Sequence, residues 1–153
     1  MNYERKTIFR IFRKNFIKCR FGFQNRNCSE RIEEWEKELQ KFDPDFEMFS
    51  EARKVLLEFG GIKVNRRDSG IDFAREPFEI DLLLGIGESD RFSVFEAEIG
   101  EKLYPLGEGG GNHYFLAIGE SGKVYGLMGY IFLIGNTFDD ALENLILGRK
   151  PKE

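Results

Sequence analysis

The sequence predicts one α+β domain, in which a mostly antiparallel sheet is covered by N-terminal, middle and C-terminal helices. Three observations support this fold class. The length of 153 residues suits a single domain, and no repeat or linker divides it. Apolar residues recur at helical spacing towards both ends, whereas short alternating or apolar runs separated by glycine turns fill the centre. Helices that flank a block of strands are typical of the α+β class.

Two helices are predicted before the strands. Ser29 is a suitable N-cap for the first helix, because acidic residues crowd the turns that follow it. The apolar face of this helix is formed by Ile32, Trp35 and Leu39. Trp35 has two interpretations, as a core residue or as an exposed anchor for a partner. The second helix is predicted over residues 46–59 and stops at the glycine pair 60–61.

Strands around one short helix are predicted for the centre of the chain. Residues 62–67 and 71–73 alternate on either side of a turn, which predicts a hairpin, and residues 78–84 form the next strand. Ser89 is predicted to cap a helix that ends at Gly100. Further strands are predicted at 103–106, 113–118 and 123–128, and residues 130–134 continue the last of these or add another.

Local signals mark one irregular strand and the final helix. Pro105 predicts a sheet edge or a bulge, since proline lacks the N–H that a ladder needs. Thr137 is predicted to cap the last helix, with Asp140 at the third helical position, and Gly148 is predicted to end it. Residues 149–153 form a polar tail.

Charge is distributed unevenly along the chain. The net charge of −4 combines +7 over residues 1–27 with −11 over the remainder. The acidic main domain disfavours nucleic acid as its partner, because phosphates would be repelled, and favours a basic partner. The basic, Phe-rich residues 1–21 are predicted to be a separate segment, with Phe9, Phe12 and Phe16 at helical spacing. Such a helix either contacts lipid, nucleic acid or an acidic partner, or packs on the domain.

Residue patterns typical of catalysis and metal binding are missing from the sequence. There is no Gly-x-Ser-x-Gly elbow, phosphate-loop lysine or Cys-x-x-Cys pair. The glycine-rich residues 107–112 are read as a hairpin loop, because a strand and not a helix follows them. His113 is either a general base or, more simply, a structural residue. With Cys19 and Cys28 it cannot complete a zinc site. We therefore predict no enzymatic activity, cofactor or metal.

Targeting signals are also missing. The longest apolar run, residues 130–134, is far shorter than the roughly 20 residues that span a bilayer, and no signal peptide is recognised. Two cysteines are compatible with a reducing compartment. These observations predict a cytoplasmic protein without a membrane span, and no residue pattern fixes its oligomeric state.

Four stretches of the chain have the order and spacing of a known family. The first is Gly22 to Arg26 with the Trp35 helix, and the second is Ala52, Leu56 and the Phe-Gly-Gly-Ile run that ends at Ile62. The others are residues 98–107 and the pair formed by 122–125 with 133–148. Together they resemble the third subfamily of the SUKH superfamily over residues 22–148, whereas residues 1–21 fall outside the resemblance. It implies an α+β fold and a non-catalytic immunity protein that binds a toxin domain, such as a nuclease or deaminase. The alternative is a regulatory adaptor that binds another protein.

Candidate partner-binding residues follow from negative charge and placement near predicted loops. They are Glu96, Glu98, Glu101, Glu108 and Glu120, with Tyr104, His113 and Tyr125 as companions. Glu96, Glu98 and Glu101 have a second interpretation as acid–base carboxylates, but a solvated helix face explains them more simply. Acidic side chains would steer a basic toxin towards the protein, and a few aromatic anchors would hold it.

Overall fold

The computed structural model describes residues 17–19, 28–65 and 67–151. This part of the chain contains four α-helices, α1 Cys28–Phe42, α2 Ser50–Phe59, α3 Ser89–Ile99 and α4 Phe138–Leu147. A 3-10 helix spans Leu82–Gly85. The strands are β1 Ile17–Cys19, β2 Ile62–Val64, β3 Asp68–Ser69, β4 Ala74–Arg75, β5 Phe78–Ile80, β6 Leu103–Gly109, β7 Tyr114–Gly119, β8 Val124–Leu127 and β9 Ile131–Gly135.

The main sheet has seven described strands in the order β1-β2-β5-β6-β7-β8-β9, and every neighbouring pair is antiparallel. Strands β3 and β4 form a separate two-stranded ladder. Helix α1 contacts α2, α2 contacts β6 and β7, α3 contacts β6, and α4 contacts β9. The predicted α+β class is therefore confirmed, with helices packed on an antiparallel sheet.

Aromatic rings contact one another within a core that is otherwise mainly aliphatic. Phe46 contacts Phe92 edge to face with ring centroids 5.1 Å apart, and it contacts Tyr104 at 6.0 Å. Phe59 of α2 packs on Phe138 of α4 at 4.9 Å. Such pairs add about 0.5–1.5 kcal/mol beyond the area they bury. The rings thus connect the helices to one another and to β6.

The predicted hairpin of residues 62–67 with 71–73 is wrong. Strand β2 pairs instead with β1 and with β5, where Val64 lies opposite Phe78. Ile71 and Phe73 are 62% and 51% exposed, so they supply no buried face for a strand of the main sheet. Their backbone N–H groups donate to the carbonyls of Leu147 and Gly148 at the end of α4, both at 2.9 Å.

Several predicted boundaries are also wrong. The strand predicted over 78–84 ends at Ile80, because Asp81 accepts a hydrogen bond from Leu83 N and starts the 3-10 helix. Helix α2 begins at Ser50, and Phe46 is a buried residue of the preceding loop. Helix α1 begins at Cys28, one residue before the predicted cap Ser29.

Strand β1 occupies residues that were predicted to belong to a basic N-terminal helix. Residues 17–19 pair with β2, so the helix prediction is wrong for these three residues. The remainder of that prediction lies outside the described residues. The position predicted for His113, at the opening of a strand, is wrong as well, because β7 begins at Tyr114.

The start of α3 is stabilised from a distant part of the chain. Ser89 does not act as the predicted N-cap; Glu88 holds that position and makes no capping hydrogen bond with its side chain. The buried carboxylate of Asp43 instead accepts hydrogen bonds from Gly87 N at 2.7 Å and from Ser89 N at 3.4 Å. Acidic groups are favourable at helix N-termini because free N–H groups point towards them.

Local signals elsewhere are confirmed. Thr137 Oγ1 accepts a hydrogen bond from Asp140 N at 3.1 Å, which caps α4. Gly148 ends that helix in the left-handed conformation, with φ 63°. The register of β6 against β7 shifts between Pro105 and Gly107, so Pro105 marks a bulge in a strand paired on both sides.

Candidate partner-binding site

An acidic cluster forms where the connection from α3 to β6 meets the turn between β7 and β8. Glu101 lies on the connection, and its carboxylate accepts hydrogen bonds from Ser121 N at 2.9 Å and Ser121 Oγ at 3.0 Å. The Tyr125 hydroxyl donates a third bond to the same carboxylate at 3.0 Å. Glu101 therefore joins the two connections and the following strand.

In the second set of contacts, backbone N–H groups of residues 102 and 103 donate hydrogen bonds to carboxylates on the turn and on α3. Glu120 lies on the turn, and its carboxylate accepts a hydrogen bond from Lys102 N at 3.2 Å, while its own N–H donates to Lys102 O. Glu96 of α3 accepts from Leu103 N at 3.3 Å and lies 3.9 Å from Lys102 Nζ. We name Glu96, Glu101, Lys102, Glu120, Ser121 and Tyr125 the acidic corner.

Charge in the acidic corner is only partly compensated. Its three carboxylates accept hydrogen bonds from neutral N–H and O–H donors, and Lys102 contributes the single ammonium. The Lys102 side chain is 70% exposed, so its ion pair with Glu96 is weak. An open groove of about 350 Å³ lies beside these groups, between α3 and the β7–β8 turn. The negative charge that remains attracts cations.

The structure places the eight sequence-predicted residues in four different settings. Glu96, Glu101, Glu120 and Tyr125 come together in the acidic corner. Glu98 is exposed on α3 and makes no hydrogen bond or ion pair with the described residues.

Tyr125 is the buried member of the acidic corner. It is 8% exposed and points its hydroxyl at Glu101. Burial, followed by the hydrogen bond to Glu101 and the charge of Glu101, raises the pKa of Tyr125 to about 12. The phenol therefore stays protonated at neutral pH and donates to the carboxylate.

Tyr104 is fully buried and offers no surface to a partner. Its ring lies against Phe46 and Phe49, with centroids 6.0 and 6.3 Å away. Its hydroxyl has no hydrogen-bond partner within the described part of the chain. Burial, and secondarily the charge of Glu36, raises the pKa of Tyr104. Its place is in the core.

Glu108 and His113 belong to the opposite end of β6 from Lys102. Glu108 lies directly across from Glu79 on β5. Burial raises the pKa of Glu108, and the charges of Glu79 and Asp81 raise it further. His113 is an exposed turn residue, and its Nδ1 contacts the carbonyl oxygen of Gly110.

An aromatic groove that sequence reasoning missed lies between the sheet, α4 and the segment around Phe73. Tyr114 and Phe132 meet edge to face at 5.1 Å, and the exposed Tyr130 lies 5.7 Å from Phe132. The groove encloses about 370 Å³. Gly126 leaves space for the Phe132 ring, because a Cβ at this position would lie 2.1 Å from that ring. Burial, with the charge of Glu76, raises the pKa of Tyr114 to about 12.

Trp35 packs partly buried against the core, in agreement with its interpretation as a core residue. Within the residues described by the structure, no group of three or more His, Cys, Asp or Glu side chains could hold a metal ion. Over the same residues, no helix has the length and apolar character needed to cross a membrane.

Comparison with known families identifies the chain. The SUKH-3 immunity protein model matches residues 23–148, which is most of the sequence. The chain belongs to the SUKH-3 immunity protein family. No curated protein and no solved structure matches it. The SUKH-3 region contains all eight candidate residues, and it begins after the basic N-terminal segment.

Proposed function

We propose that this SUKH-3 protein neutralises a bacterial toxin domain in the cytoplasm by binding it and occluding its active site. Membership of an immunity protein family supports the general role. Occlusion requires no chemistry from the inhibitor, in keeping with the predicted lack of catalysis. The main domain, residues 22–148, would act as the inhibitor, and strand β1, residues 17–19 of the N-terminal segment, extends its sheet by pairing with β2.

The observation that carries the proposal is the charge of the acidic corner. A nuclease or nucleic-acid deaminase presents a basic surface, because it must bind phosphate. Neutral N–H and O–H donors already hold the Glu101 and Glu120 carboxylates in place, so these groups need little reorganisation when a basic surface arrives. Complementary charge mainly raises the association rate and excludes wrong partners. The partner is therefore proposed to be a basic toxin.

The proposed contact residues are those of the predicted set that reach the surface. Glu96, Glu98, Glu101 and Glu120 would face the toxin, and Tyr125 would hold Glu101 in position. Glu108 and His113 stay in the proposal as contacts at the far end of β6. Tyr104 is removed from the contact set, because it is fully buried.

A binding experiment with charge reversals tests the proposal. The cognate toxin domain is sought among the genes that adjoin this one and is catalytically inactivated. It is then mixed with the full-length chain, and association is followed at low and high salt. Glu98→Lys and Glu120→Lys are expected to slow association at least tenfold together. The matched variant Glu34→Lys, on the exposed side of α1, is expected to leave the rate within twofold. Unchanged association of the double variant would contradict the proposed surface.

The alternative function, a regulatory adaptor for another protein, is favoured by the aromatic groove. Its rings are partly exposed and it shares no lining residue with the acidic corner. Clustered exposed aromatic residues are typical of protein-binding surfaces. A chain that fails to bind or inhibit the neighbouring toxin domain would favour this alternative.

A further inference from the structure

The outward face of α3 combines an exposed apolar strip with unpaired carboxylates. Val94, at the middle of the helix, is 66% exposed, and Ala97 lies one turn further on, also exposed. Asp90 and Glu98 lie four residues before and after Val94, so they flank it on the same face. Neither carboxylate forms a hydrogen bond or ion pair with the described residues.

The one arginine of α3 does not neutralise this face. Arg91 pairs with Glu88 at 3.0 Å, and its guanidinium lies over the Phe115 ring, 5.6 Å from the centroid. The arginine is thus drawn towards the sheet. The inward side of the same helix is fixed, because Phe92 and Phe95 are buried. The helix therefore presents a rigid surface that is apolar at its centre and acidic at both ends.

Resting on the proposed function, we infer that this α3 face docks onto the toxin, with Val94 as its apolar anchor. The complementary surface is a shallow apolar site on the toxin, between two Lys or Arg side chains. Asp90 and Glu98 are eight positions apart along the helix, which places the two cationic groups about 12 Å apart. An apolar centre within a charged rim matches the organisation of stable protein interfaces.

The charge balance favours a basic partner over a second copy of this chain. Including Glu88, helix α3 and its N-cap carry four acidic residues and one arginine. Two copies would bring like charges together if this face met itself, and like charges at short range repel. The acidic corner continues the same negative surface beyond the end of α3, through Glu101 and Glu120. Negative charge thus extends from the start of α3 to the turn between β7 and β8.

Val94→Asp tests the anchor against a matched control. Ile71→Asp alters a comparably exposed aliphatic side chain, 62% against 66%, on a different segment. With the inactivated toxin domain encoded beside the gene as probe, Val94→Asp is expected to raise Kd at least tenfold, mainly through faster dissociation. Ile71→Asp is expected to leave Kd within twofold. Val94→Ala is expected to raise Kd about threefold. Because this change introduces no charge, it separates loss of the apolar contact from an effect on folding. Thermal melts check that all three variants are folded.

The two carboxylates are tested by a separate pair of variants. Asp90→Asn with Glu98→Gln is expected to lower the association rate about fivefold at low salt and to flatten its salt dependence. Glu33→Gln with Glu34→Gln on α1 is the control. If the wild-type chain binds and Val94→Asp binds equally well, the inference is overturned and the proposed function stands. If the wild-type chain itself neither binds nor inhibits the toxin domain, both are overturned. Self-association through Val94 would also overturn the inference.

Discussion

Removal of the Tyr104 hydroxyl is expected to stabilise the protein. Tyr104 is 0% exposed, and no described residue accepts or donates a hydrogen bond at its hydroxyl. A buried polar group without a partner costs about 1–3 kcal/mol relative to its hydrated state in the unfolded chain. Tyr104→Phe keeps the ring, and with it the contacts to Phe46 and Phe49.

The expected gain in the free energy of unfolding is about 1 kcal/mol, at the low end of that range. For a domain of this size, 1 kcal/mol corresponds to roughly 2–4 °C in Tm. Urea denaturation at pH 7 measures the free energy, and a thermal melt measures Tm. An unchanged slope of free energy against urea would show that the extent of unfolding is the same.

Tyr125→Phe provides the matched control, because its hydroxyl does have a partner. Loss of the bond to Glu101 is expected to lower the free energy of unfolding by about 1 kcal/mol, since Glu101 is partly exposed to water. The two Tyr→Phe changes should therefore shift stability in opposite directions. A loss of more than about 1 kcal/mol in Tyr104→Phe would refute the reasoning, because the hydroxyl would then have a stabilising partner.

The remaining predictions concern pH and one distant cap. The pKa values of Tyr114 and Tyr125 are raised to about 12 in the folded protein, from about 10 in the unfolded chain. The protonated phenols therefore stabilise the fold fully below about pH 10, and this stabilisation is lost as the pH rises to 12. Alkaline denaturation should start near pH 10. The raised pKa of Glu108 means that ionisation destabilises the fold, so Glu108→Gln should raise Tm at pH 7 but not at pH 3, whereas Glu98→Gln should change neither. Asp43→Ala should lower the free energy of unfolding by about 1–2 kcal/mol in urea denaturation, and an unchanged value would show that the bonds to Gly87 and Ser89 contribute nothing.

The features predicted correctly from the sequence are those decided by neighbouring residues. Thr137 caps the helix that starts beside it, and Gly148 adopts a conformation that favours glycine. Pro105, which has no N–H to donate, lies where the register of β6 against β7 shifts. Each depends on a few consecutive residues, so the printed sequence contains the whole signal.

Features that depend on distant partners were not predictable in this way. Asp43 acts on residues 44 and 46 positions further along the chain, and β2 pairs with β5 across the β3–β4 ladder. The alternation of buried and exposed residues that marks a half-buried strand is absent from β6, because residues 103–107 are all buried. A strand buried on both faces shows no polar side, so the pattern could not distinguish the buried Tyr104 from the candidate residues that are exposed.

The candidate site was predictable in part for a similar reason. Glu96, Glu101 and Glu120 flank the two predicted turns that adjoin β6 and β7, and antiparallel pairing brings such turns to the same end of a sheet. Glu108 and His113 lie at the other end of β6. They are close in sequence to Glu101 and Glu120, so the sequence alone did not distinguish the two groups. The aromatic groove required the packing of α4 on β9, which no local pattern encodes.

The most direct test of the proposed function is survival of bacteria that express the neighbouring toxin domain. Colonies are counted with the wild-type chain, with Glu98→Lys and Glu120→Lys together, and with Glu34→Lys. The proposal predicts full rescue by the wild-type chain and Glu34→Lys, a loss of rescue by the double variant, and a toxin complex that co-purifies only with the first two. Absence of rescue by the well-folded wild-type chain would contradict toxin neutralisation.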